Sequence, residues 1–143
     1  MAMYRILNEG AADMVDKKYM TDTATKLLPS QRYFQEFFDQ GKKILPRMDS
    51  LFQQGAASWK NLRTRDYFKG TPFSSGHVPG TYLSHYIEKN GLKSKLLKSL
   101  DDPFSFFLIY DQASRRDKDK PYRFSAAAIK NIKNLRAKYI KSI

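Results

Sequence analysis

Ser125-Ala126-Ala127-Ala128-Ile129-Lys130-Asn131-Ile132-Lys133-Asn134-Leu135-Arg136-Ala137-Lys138-Tyr139-Ile140-Lys141-Ser142-Ile143 has the clearest periodicity in the sequence. At about 100° per residue, Ile129, Ile132, Leu135, Tyr139 and Ile143 fall on one side, and Lys130, Lys133, Lys138 and Lys141 spread over the opposite arc. Three consecutive alanines favour a helix, and Ser125 stands where its hydroxyl can accept a bond from the first free amides. The stretch therefore predicts an amphipathic helix with one basic face, and a strand at these residues is excluded.

The residues before it follow the same grammar. Arg115 to Arg123 is a charged break that should be exposed. Upstream, Asp101-Asp102-Pro103 supplies a cap, a negative charge and a ring suited to the first helical turn. The following Phe104 to Tyr110 is rich in strand formers, yet that start makes it a buried helix. Leu92 to Leu100 alternates Leu92, Leu96, Leu97 and Leu100 with Lys93, Lys95 and Lys98, which predicts another short helix. A helix capped by Thr81 and running to Asn90 precedes it, with Gly91 as its stop.

Residues 69–80 hold three Gly, two Pro and two adjacent Ser, the strongest loop signal in the chain. Before that loop, Pro29 opens a helix that Gly41 should end, Pro46 opens a second that Gly55 should end, and Ala56 to Phe68 forms a third around Trp59 and Leu62. Residues 1–28 read as an N-terminal arm or a short helix at Ala11 to Met20. The expected architecture is mainly α with little or no β. Residues 29–143 form a single compact domain of several short helices, ending in the basic amphipathic one.

Composition agrees with one folded domain. A chain of 143 residues with 41% hydrophobic residues and 20 aromatics, ten Phe, nine Tyr and one Trp, can bury an aromatic-rich core without staples. There is no Cys, so a disulfide framework, thiolate zinc sites and cysteine nucleophiles are excluded. No apolar run approaches the length of about 20 residues that a membrane-spanning helix needs. Localisation in the cytoplasm or another intracellular compartment, or in a virion or nucleoprotein particle, is the expectation.

Charge provides the main functional hint at this level. The net charge is +12; up to Phe68 there are 11 basic and 8 acidic residues (+3), and after it 15 and 6 (+9). Lys93, Lys95, Lys98, Arg115, Arg116, Lys118, Lys120 and Arg123 join Lys130, Lys133, Lys138 and Lys141 as candidate contacts to a polyanion. Such a surface neutralises phosphates without reading sequence. The expectation is a non-enzymatic nucleic-acid-binding protein, architectural or packaging, engaging DNA or RNA and assembling with itself or with protein partners. The alternative is an adaptor or inhibitor that docks on an acidic protein surface. Tyr67, Phe68, Phe73 and Tyr122 are candidate stacking rings for single strands.

Enzyme signatures are weak by comparison. There is no phosphate-binding glycine loop, and His77 and His85, the two histidines, match no zincin, deaminase or nuclease spacing. A catalytic histidine would draw on Asp66, Glu88, Ser74 or Ser75, its nearest neighbours in sequence. His85 and Glu88 read as an ordinary i, i+3 surface pair. No catalytic residue, metal or cofactor is expected.

Overall fold

A computed structural model describes residues 2–16, 29–54 and 76–141, and among these it contains six helices and no strand. They are α1 (Ala2–Asp16), α2 (Pro29–Gln53), α3 (His77–Lys89), α4 (Lys93–Leu97), α5 (Pro103–Arg116) and α6 (Ala126–Ile140). The mainly α expectation holds. The helix expected at Ala56 to Phe68, and most of the glycine-rich loop, lie outside the described residues.

Helix α3 is the centre of the fold. Val78, Tyr82, Leu83, Tyr86 and Ile87 are buried, and so are Thr81 and Ser84. Burial around most of a helix means that other helices pack on several of its faces. Here α1, α2 and α5 all do, while α6 packs on α2 and α5.

In the first three helices, three boundaries differ from the expected ones. First, α2 runs through both Gly41 and Pro46. Gly41 is a crossing point and not a stop: a Cβ there would lie 2.6 Å from the Cβ of Tyr82 on α3. Pro46 removes one helical hydrogen bond, but it is exposed, so water can serve the carbonyl left over.

Second, α3 begins at His77 and not at Thr81. Gly76 turns the chain with φ +101°, a left-handed conformation open to glycine, and the amide of Gly80 makes the first helical bond to its carbonyl at 3.0 Å. Pro79 then falls in the first turn, where its missing amide costs nothing. Third, α1 starts at Ala2, well before Ala11, and ends at Asp16. It buries Met3, Ile6, Leu7 and Met14 in the core.

In the C-terminal half the expected helices form with shifted bounds: the one expected at Leu92 to Leu100 spans Lys93–Leu97, and α5 runs to Arg116, into the expected exposed break, where Asp117 is buried. The carboxylate of Asp102 accepts from the amides of Phe104 (3.1 Å) and Ser105 (3.2 Å), which commits the aromatic run to α5, with Phe106, Phe107 and Tyr110 fully buried. Ser125 accepts from the amide of Ala128 at 3.1 Å and caps α6. Buried Asp49 of α2 ties the connecting segment down by accepting from the amide of Ser125 (2.8 Å) and the hydroxyl of Tyr122 (3.2 Å). Asn131 of α6 donates to the carbonyls of Phe52 (3.0 Å) and Gln53 (3.1 Å), which the C-terminus of α2 leaves open.

Candidate active site

His77 stands at the first turn of α3 with both ring nitrogens beside carboxylates of α1. Nδ1 lies 3.2 Å from Oδ1 and 3.3 Å from Oδ2 of Asp13, and Nε2 lies 3.2 Å from Oε2 of Glu9. The two acids are four residues apart on α1, so they share one face and meet the ring from both edges. Asp13 is 7% exposed, whereas His77 keeps 33% of its side chain in contact with solvent. The hydroxyl of Thr81, one turn along α3, donates to Oδ2 of Asp13.

Glycine makes this contact close. Gly10 of α1 faces Gly80 of α3 backbone to backbone: a Cβ on Gly80 would lie 2.6 Å from the carbonyl oxygen of Ile6 and 2.7 Å from the amide nitrogen of Gly10. The hydroxyl of Ser84 donates to the carbonyl of Gly10 at 2.8 Å. Thus residues 77, 80, 81 and 84 form one stripe of α3 that is covered by α1, and its buried hydroxyls are satisfied.

The other histidine occupies different surroundings. His85 borders a cleft of about 660 Å³ lined by Phe38, Tyr82, Tyr86, Pro121 and Tyr122, with Lys42, Lys120 and Asp119 adding charge of both signs. Its ring meets Phe38 (5.0 Å) and Tyr86 (5.2 Å) edge-on. Burial, followed by the charge of Lys89, holds the imidazole below its ordinary value despite Asp117, Asp119 and Glu88. Burial likewise raises the phenols of Tyr82 and Tyr110, so both stay neutral donors. Tyr110 spends its proton on the carbonyl of Tyr122 at 2.5 Å. Lys120 holds φ +49°, uncommon for a residue with a side chain, at the edge of this cleft.

The sequence had pointed to other partners for the histidines. Asp66, Ser74 and Ser75 lie outside the described residues, and Glu88 pairs with Lys93 at 3.0 Å. His85, expected as a surface partner of Glu88, is a half-buried ring among aromatics on which the charge of Glu88 still acts. Asp13 and Glu9 were missed because α1 read as an arm. The signal was present as two i, i+4 pairs with a glycine inside each, Glu9/Asp13 around Gly10 and His77/Thr81 around Gly80.

The basic residues are spread over the surface of the second half. Lys95 donates to Gln112 at 2.6 Å and Arg115 to Asp111 at 2.9 Å. Lys98, Arg116, Lys118, Lys120 and Arg123 are exposed, and so are Lys130, Lys133 and Lys138 along α6 and Lys141 at its C-cap. Of the candidate stacking rings, Tyr67, Phe68 and Phe73 lie outside the described residues, and Tyr122 is held by Asp49 and Tyr110. Among the described residues no helix is long and apolar enough to cross a membrane.

The family model described as "Putative zinc dependent peptidase (DUF5700)" matches residues 1–119. No curated protein and no solved structure matches the chain. The family match overturns the expectation of a non-enzymatic nucleic-acid-binding protein with an architectural or virion role, because it points to an enzyme. The charge misled for a physical reason: net charge governs solubility and association and carries no information about chemistry.

The residues can be tested against the ion in that description. A catalytic zinc needs three protein ligands and one open position, and a helical His-Glu-x-x-His motif supplies two imidazoles one turn apart with a base beside them. His77 opens such a frame, but Val78, fully buried, stands where the glutamate would be, and Thr81 where the second histidine would be. His85 is eight residues from His77, about 12 Å along the helix and about 80° around it, too far to share an ion. There is no Cys, and among the described residues no group of three or more His, Cys, Asp or Glu could hold a metal. The described residues do not fit a zinc site.

Proposed function

The chain belongs to the DUF5700 family, whose model matches 119 of its 143 residues, and from that premise we propose that it hydrolyses peptide bonds with His77 as the proton-transfer group. The observation that supports this reading is the His77–Asp13 pair, a part-exposed imidazole held by a buried carboxylate. A base and an orienting acid in hydrogen-bond reach are the minimum for general acid–base chemistry. With the Nδ1 proton donated to Asp13, Nε2 is the nitrogen left for proton transfer, and the attacking water has to displace the Glu9 carboxylate that lies 3.2 Å from it.

The step balances on these groups. Water attacks the peptide carbonyl carbon while Nε2 takes its proton, and the positive charge that develops on the ring faces Asp13 and Glu9. The carbon–nitrogen bond then breaks, and the same proton passes to the departing amine. The aromatic cleft beside His85 is the place for an apolar side chain of the substrate. At about 12 Å along α3 it is some four residues of extended peptide from His77.

Cleavage of a mixed peptide library, read by mass spectrometry, tests this. The unaltered protein should cleave, and His77→Ala, with unchanged circular dichroism, should lose about 100-fold or more of the rate. No cleavage by the unaltered protein, or undiminished cleavage by His77→Ala, would contradict it.

A further inference from the structure

We infer that the α1–α3 face of this chain works without zinc, the carboxylate of Asp13 taking the bridging place between positions 77 and 81 that an ion would need. The consequence for hydrolysis rests on His77 being the reactive group, as proposed above. The inference itself stands on the packing of the face and on which residues occupy it.

A zinc ion bound by an imidazole at about 2.0 Å needs further ligands at similar range and room for a water. On this face the place beside Thr81 is taken by Asp13, which accepts from both Thr81 and His77. Beside Thr81, the backbones of Gly10 and Gly80 are as close as two helices without side chains allow, and Ser84, about one turn further, closes onto the carbonyl of Gly10. An imidazole at position 81 would have to displace α1. The remaining edge of the His77 ring is held by Glu9, giving two protein donors there among the described residues, one short of a zinc site.

Asp13 therefore does mechanically what a ligated ion would do. It fixes the orientation of His77 and locks it to the next turn of α3. Orientation by a carboxylate on Nδ1 is the arrangement found behind metal-bound histidines. In this chain the carboxylate is present, and among the described residues a full ligand set around His77 and Glu9 is not.

The test is titration of the full chain with zinc chloride by calorimetry, with the metal content of freshly purified protein measured alongside. Far less than one equivalent of zinc should be retained, no saturable heat should appear, and EDTA should leave the melting temperature unchanged. One equivalent bound at micromolar affinity or tighter, and lost in both His77→Gln and Glu9→Gln, would overturn the inference. Zinc taken up equally by those variants would place the ion elsewhere and leave the inference standing. Neither measurement reads peptide cleavage, so failure of the hydrolase reading alone would appear as a metal-free protein that cuts nothing.

Discussion

The two histidines lie about two turns apart on one helix and differ in what surrounds them. His77 meets two carboxylates at 3.2 Å and keeps a third of its side chain in solvent. His85 is set among Phe38 and Tyr86 and is held below its ordinary value by burial. A ring between acids is held in one orientation from both edges. A ring among aromatics is a neutral packing element whose protonation costs stability. Position on α3 therefore separates a group suited to moving protons from one suited to lining a binding cleft.

Substitutions can break this contrast, and the largest expected effect is on catalysis. Exchanging each imidazole for alanine should cost His77 about 100-fold or more in kcat, whereas His85→Ala should act mainly on KM, with kcat changed by less than about tenfold. Equal kcat losses in steady-state kinetics would erase the distinction.

Next comes the crossing that brings Asp13 to His77. In Gly80→Ala the new methyl meets the backbone of α1 inside 3 Å, and overpacking of this kind costs about 1–3 kcal/mol or more. Gly91→Ala is the control: its φ is +71° but nothing stands within 4 Å, so it should lose about 1–2 kcal/mol from backbone strain alone. Denaturant melts of the two variants should also differ in kind, since only Gly80→Ala should loosen the His77–Asp13 pair. Equal losses, with His77 undisturbed in both, would mean that the glycine contact does not position the site.

A smaller effect is expected from pH. The folded pKa of His85 is lowered, so the unfolded chain takes up a proton first. Stability contributed by neutral His85 is complete above about pH 6.5, falls as pH drops through that value, and levels off below the folded pKa. The melting temperature of the unaltered protein should fall more over this range than that of His85→Phe. Parallel curves would show that burial of His85 does not contribute to the acid sensitivity.

These contrasts were only partly legible in the sequence. Helices α5 and α6 could be read because their starts are encoded locally: Asp102 caps one and Ser125 the other, and each side chain bonds within three residues of itself. Gly41 and Gly80 were misread, as a stop and as loop, because a glycine required by a neighbouring helix looks the same in sequence as one required by a turn. The His77 site was invisible for a related reason. Asp13 and His77 are 64 residues apart, and nothing local at either position announces the other. The basic surface, by contrast, was conspicuous in sequence and misleading about chemistry.

The central claim is that Asp13, and not a metal ion, orients His77. With two histidines in the chain, a long-range proton–nitrogen NMR spectrum of the imidazole rings measures this directly. His77 should appear with its proton on Nδ1, shifted downfield by its bond to Asp13. That signature should disappear in Asp13→Ala and remain unmoved by one equivalent of zinc, while His85 stays constant throughout. A His77 ring protonated on Nε2 alone, or one whose nitrogen shifts jump when zinc is added, would contradict the claim.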